Sequence, residues 1–169
     1  MRVKRVLLTG MSGTGKSSVL SLLRARGFKT VDTDYGGWTE LVDIPGDPQS
    51  KEWLWREDLI ARLLSTEDAD VLFVSGAARN QTKFYPKFDD IVLLTASIPV
   101  IVERLASRTN NPYGKDPAEL AEVLALKQTV EPALRRAANL EIDTGIPLDE
   151  VVEQILARVL QSPSLRPGA

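Results

Sequence analysis

Eight consecutive residues, Gly10-Met11-Ser12-Gly13-Thr14-Gly15-Lys16-Ser17, fit the pattern G-x-x-x-x-G-K-[ST] at every position. The run before them, 5–10, is apolar enough for a buried strand, and 15–26 reads as a helix. Glycines let backbone N–H groups converge on an anion without a Cβ in the way. The start of the helix adds partial positive charge at the same point. The motif therefore predicts a phosphate cradle at a strand-to-helix turn. Lys16 is placed to reach β- and γ-phosphates, and the Ser17 hydroxyl to meet Mg2+. Such a turn demands an α/β frame.

The rest of the chain supplies that frame. Further strands are predicted at 28–34, 69–76, 90–96 and 140–144. Helical periodicity marks 52–64, 99–107, 117–138 and 147–160, with Pro132 expected to kink or break the third of these. Residues 36–50, rich in Gly, Pro and Asp, are expected to form a loop, as is 109–116. Strands alternating with helices imply parallel strands joined by right-handed crossovers, with the site at their carboxyl ends. A single domain is expected over 1–161, followed by a flexible tail, 162–169.

Composition narrows the chemistry. The 169 residues contain neither His nor Cys. That excludes disulfides, thiol nucleophiles, Ser–His–Asp catalysis and His- or Cys-ligated metals. Acid–base work falls to Asp, Glu, Lys or Tyr, and a metal should be a hard cation held by oxygen. The 21 basic and 23 acidic side chains leave a net charge of −2, so no global field attracts nucleic acid or an anionic membrane. The first apolar run is too short for a signal core or a membrane span, so a cytoplasmic protein is expected. The sequon-like Asn80-Gln81-Thr82 reads as chance.

A second signal is Val31-Asp32-Thr33-Asp34 at the end of the second strand. Alternation along a strand puts both carboxylates on one side. Beside a phosphate loop, one can hold Mg2+ or its water while the other takes a proton from an attacking hydroxyl.

Together, the glycine loop, its helix and the Asp-x-Asp resemble shikimate kinase and its relatives among the nucleoside-monophosphate-kinase-like P-loop kinases. The likeness extends to Trp55-Arg56, Ser75-Gly76-Ala77, Glu103-Arg104-Leu105 with Arg108, and the stretch from Glu131 through Arg135 to Thr144. It implies a three-layer P-loop NTPase fold, with a five-stranded parallel sheet in the order 2-3-1-4-5 and helices on both faces. It implies nucleotide binding by Gly10, Met11, Ser12, Gly13, Thr14, Gly15, Lys16, Ser17, Ser18, Arg104 and Arg108. Mg2+ would be held by Ser17 and Asp32. Asp34 would be the base, catalytic together with Lys16, and the acceptor would be bound by Asp34, Arg56, Gly76 and Arg135. The acceptor region would span 36–66 and a lid 109–118. Two segments depart from the family. One glycine, Gly76, stands for a triplet, and the lid reads Arg108-Thr-Asn-Asn-Pro-Tyr-Gly-Lys115, so Lys115 becomes the candidate lid cation. Trp38, Trp53 and Trp55 stack on a ring or pack against the core.

The expected protein is thus an ATP-dependent phosphotransferase acting on a hydroxyl of a small metabolite, shikimate-kinase-like, a monomer or small homo-oligomer. Alternatives are a nucleoside-monophosphate kinase, or a nucleotide-binding regulator without transfer activity. The third strand runs into Ser75-Gly76 with no terminal acid, which argues against a motor or AAA-type ATPase.

Overall fold

The computed structural model describes residues 2–161. The tail expected at 162–169 lies outside the described residues. The chain runs β1 (Lys4–Thr9), α1 (Lys16–Ala25), β2 (Lys29–Asp32), β3 (Thr39–Ile44), β4 (Asp47–Trp55), α2 (Glu57–Leu63) and β5 (Val71–Ser75). A 3-10 segment (Arg79–Lys87) leads to β6 (Asp90–Thr95), α3 (Ile98–Ser107), α4 (Pro117–Thr129), α5 (Glu131–Ala137), β7 (Leu140–Asp143) and α6 (Leu148–Val159).

Five strands form one parallel sheet, ordered β2-β5-β1-β6-β7. In sheet-strand numbering this is the order 2-3-1-4-5. Strand alternation builds the two outer layers. Val6 and Leu8 of β1 point into a core with Val19, Leu20 and Leu23 of α1 and Val152 and Ile155 of α6. Leu7 points the other way, to Trp55, Ile60 and Leu63. Because β1 is central, both faces of its Val6–Leu8 run are buried, which is why that run is apolar without alternation.

Two local expectations are corrected, and a third, a break near Pro132, is met. Residues 36–50 do not form a plain loop. β3 and β4 pair antiparallel around Pro45-Gly46, with Gly46 at φ +85°. Proline followed by a positive-φ glycine is a turn signal, and burial alternates along Ser50–Leu54 of β4 as in a half-buried strand. The predicted helix 52–64 starts only at Glu57, because its first residues belong to β4. The helical stretch 117–138 is two helices. α4 is capped by Asp116, whose Oδ1 accepts from Ala118 N at 2.8 Å, and α5 restarts after Val130 with Pro132 in its first turn. No helix among the described residues is long and apolar enough to cross a membrane.

Candidate active site

The loop between β1 and α1 is set by close approach. A Cβ on Gly10 would run into the Leu94 carbonyl oxygen and would stand 2.9 Å from Thr14 Oγ1. Gly13 and Gly15 hold φ +84° and +96°, conformations that side chains rarely adopt. Thr14 closes the loop, its Oγ1 donating to Met11 O at 2.7 Å. Met11 itself packs into the core against Leu93 and Leu134. Lys16 arches back over the loop, its Nζ donating to Gly10 O at 2.6 Å and Met11 O at 3.0 Å.

The loop is anchored to the far side of the sheet through Arg104 on α3. Arg104 donates to Thr144 Oγ1 at 2.8 Å, Thr144 O at 2.6 Å and Gly13 O at 3.3 Å. Thr144 Oγ1 in turn donates to Thr14 O at 2.7 Å. Thr144, to which the sequence reading assigned no role, is therefore the hinge pin between β7 and the loop. Its signal is its place one residue past the last strand.

A cleft of about 410 Å³ opens here, lined by Ser12, Gly13, Gly15, Lys16, Ser17, Ser18, Asp34, Arg104 and Arg108, together with Tyr35, Asn110, Asn111, Ile146 and Leu148. Its Ile146–Leu148 end is apolar and its loop end is rich in N–H groups, the polarity a nucleotide requires. A second groove of about 520 Å³, between α1 and β2, shares Ser17, Tyr35 and Asn110 with it.

The two aspartates take different positions. β2 ends at Asp32, and Asp34 lies in the turn beyond it, so strand alternation does not place the pair. An Asx turn does: Asp32 Oδ1 accepts from Asp34 N at 3.1 Å. Asp32 Oδ2 accepts from Ser17 Oγ at 2.8 Å. Asp34 is solvent-accessible at the cleft mouth, yet protein crowds its carboxyl on the cleft side. That loss of hydration pushes its pKa up, opposed by the charge of Lys16 and reinforced by Asp32. Burial pulls the Lys16 ammonium below the ordinary lysine value, opposed by Asp34 and then Asp32.

Arg56, Arg135, Gly76 and Lys115 do not line this cleft. Arg56 is exposed before α2 and lines neither cavity. Arg135 is paired with Glu131 at 3.0 Å and Glu141 at 2.9 Å. Gly76 is packed under Trp55. Lys115 donates to Ala106 O at 2.6 Å, fastened to the end of α3. Arg108 is wrapped by the expected lid, donating to Asn111 O at 3.1 Å and Tyr113 O at 2.5 Å.

The fold and the loop define the class: a P-loop nucleotide-binding protein built on a five-stranded parallel sheet. A family model described as an AAA domain matches residues 6–125, and the chain belongs to that family. β5 ends at Ser75 without a terminal acid; Ser75 pairs with Asp32 on the neighbouring strand, whose carboxylate accepts from the Ser17 hydroxyl. The chain is 31% identical over 162 residues to a shikimate kinase of Geobacter metallireducens, covering 90% of each protein. Its fold is shared by a shikimate kinase of Acinetobacter baumannii solved with shikimate, at TM-score 0.64 and 20% identity over 94% of this chain and 93% of that one. It is shared also by a gluconokinase of Sinorhizobium meliloti, at TM-score 0.61 and 22% identity over 94% of each chain. The chain is a shikimate-kinase-like P-loop small-molecule kinase.

Proposed function

We propose that this kinase transfers the γ-phosphate of ATP to a hydroxyl of a small metabolite, with Lys16 and Asp34 as its catalytic residues. The observation that carries this reading is that Asp34 lines one cleft with the loop lysine and Ser17, beside the Ser17–Asp32 pair. A phosphate acceptor is already ionised and needs no base; a hydroxyl acceptor benefits from one.

The triphosphate lies along residues 10–18, against loop N–H groups and the start of α1. Mg2+ fits the Ser17–Asp32 pair: one hydroxyl and one carboxylate suit a hard cation that takes its remaining oxygens from phosphate and water. Among the described residues no group of three or more acidic side chains exists to hold a metal without phosphate. Mg2+ held by Ser17 and Asp32 would supply neutralising charge to the phosphates. Asp34 orients the acceptor O–H and takes its proton. The oxygen's electron pair forms the new bond to the γ-phosphorus. The bond from that phosphorus to the β,γ-bridging oxygen breaks, and ADP leaves with the pair. Lys16 and Arg108 balance charge on the transferring group. Residues 109–118 act as the lid, and 36–66 border the acceptor.

The test is acceptor-dependent ADP formation over a panel of hydroxyl and phosphate compounds. A hydroxyl compound is expected to stimulate it. Stimulation by nucleoside monophosphates alone overturns the reading in favour of a nucleoside-monophosphate kinase. ATP binding with no acceptor-dependent turnover favours a regulator.

A further inference from the structure

The groove of about 520 Å³ between α1 and β2 has the size of a small-molecule site. A hydrogen bond between its two walls marks each end. At the carboxyl edge of the sheet, Ser17 Oγ donates to Asp32 Oδ2 at 2.8 Å. At the other end, Arg24 Nε donates to Thr30 Oγ1 at 3.0 Å. The two bonds match because α1 runs away from that edge and β2 returns to it. Ser17, Leu20, Ser21 and Arg24 fall at i, i+3, i+4 and i+7, so all four share one face of α1. Seven residues of helical rise place the two ends about 10 Å apart.

The ends differ in charge. Thr30 fixes the Arg24 guanidinium through Nε, and among the described residues no carboxylate pairs with it. The basic residues near it are matched: Arg26 pairs with Asp149 and Glu153, and Lys29 with Asp68. An oriented guanidinium without a counter-ion suits a carboxylate or a phosphate, which it grips through two parallel hydrogen bonds. Arg56 is exposed and lacks an ion-pair partner too, but it lines neither cavity. Between the ends, Leu20 is buried, Trp38 half-buried and Ser21 exposed, so the wall offers apolar surface and a hydroxyl.

The Ser17 end opens on the nucleotide. Ser17, Tyr35 and Asn110 line both the groove and the cleft. Asp34 lines the cleft beside Tyr35, its N–H held by Asp32 Oδ1 at 3.1 Å. A molecule filling the groove has one end at this junction, next to the proposed base.

Given the hydroxyl-directed kinase reading, on which this rests, we propose that the groove between α1 and β2 is the acceptor site, and that the acceptor carries an anionic group, a carboxylate or a phosphate, held by Arg24 about 10 Å from the hydroxyl at the Ser17 end. That hydroxyl gives its proton to Asp34, its oxygen bonds the γ-phosphorus, and ADP leaves with the electron pair of the broken bond. Arg24 selects acceptors by charge and span, and Ser21 lies along their length.

The probes are straight-chain hydroxy acids and hydroxyalkyl monophosphates whose hydroxyl and anion stand about 10 Å or half that distance apart, beside the matching uncharged diols. They are scored by ADP formation at saturating Mg-ATP. The long anionic members are expected to lead the diols by about tenfold or more in kcat/KM, and whichever of carboxylate and phosphate leads names the anion. Arg24→Gln is expected to raise the KM of the leading probe about tenfold while the KM for Mg-ATP holds. Arg24→Lys, which keeps the charge and loses the fork, should recover part of that loss. Ser21→Phe fills the groove midway. It should abolish acceptor-dependent turnover while Mg-ATP still raises Tm, which shows a folded, nucleotide-competent variant. Diols or short anions that match the long ones, a KM that answers to Arg56→Gln and not to Arg24→Gln, or turnover that survives Ser21→Phe overturns the inference and leaves the hydroxyl-directed kinase reading intact. Failure of every hydroxyl compound, in this series and in the wider panel, overturns both.

Discussion

At the scale of single residues, the site joins two groups whose environments work against their usual charge states. Crowding raises the Asp34 pKa, so Asp34 is protonated at a higher pH than an ordinary aspartate. As a base it works only when ionised. The acid limb of kcat/KM should therefore fall above the usual carboxylate range, and with no His in the chain an imidazole cannot supply it. A limb at ordinary aspartate pH would contradict this. The linkage has a stability sign as well. A carboxyl raised in the folded state adds stability below its unfolded pKa and loses it as pH rises through the folded value. At neutral pH ionised Asp34 is thus a liability in the ligand-free protein. Asp34→Asn is expected to raise Tm while cutting turnover on the order of 100-fold or more, checked by thermal unfolding beside the ADP assay. Lys16→Ala should lose transfer to a similar degree with the fold retained. The loop lysine, the hydroxyl and the two aspartates were all legible in the sequence, because each is defined by spacing along a short stretch of chain. Arg135 was legible only as a cation. Its partner Glu131 is an i,i+4 neighbour on α5, but Glu141 is set by how α5 meets β7, which spacing does not report.

At the scale of elements, the glycine loop is the least tolerant part. A Cβ on Gly10 meets the Leu94 carbonyl, a backbone atom that does not yield. Gly10→Ala is expected to cost about 1–3 kcal/mol in denaturant unfolding and to weaken ATP binding with it. Trp55 anchors the β3–β4 hairpin, and Trp55→Ala should cost about 3–5 kcal/mol by cavity formation. A loss under 1 kcal/mol would mean that the hairpin base is not packed as described. This hairpin is where the sequence reading went wrong. Leu54, Leu59, Leu63 and Leu64 recur at helical spacing, and that period drew the helix start back to residue 52. The Pro45-Gly46 turn is a short-range signal that does not by itself reveal the strands on either side. The division of 117–138 was half visible: Pro132 marked the break, but the restart at Glu131 depends on tertiary packing of Leu134 against Met11 and Leu93.

At the scale of the whole molecule, the nucleotide cleft is assembled from both halves of the sheet. The loop and Asp34 come from one side, and Arg104, Arg108, Thr144 and Ile146 from the other. A ligand that bridges the halves should stabilise the native chain globally. At a hundred times its Kd, Mg-ATP is expected to add about 2.7 kcal/mol to unfolding, seen as a Tm increase that Lys16→Ala abolishes. An unmoved Tm at saturating Mg-ATP would count against the cleft.

What the sequence determined alone is local in cause: the strand–loop–helix of the phosphate cradle, the five strands of the parallel sheet, and the class of chemistry left once His and Cys are absent. Each follows from periodicity or from residue type at fixed spacing. Tertiary structure decided which carboxylate reaches Ser17, which arginines are spent on ion pairs, that Thr144 pins the loop, and that Trp55 fills the space beside Gly76. The Ser17–Asp32 and Thr14–Thr144 contacts join residues 15 and 130 positions apart, and packing and register set such encounters.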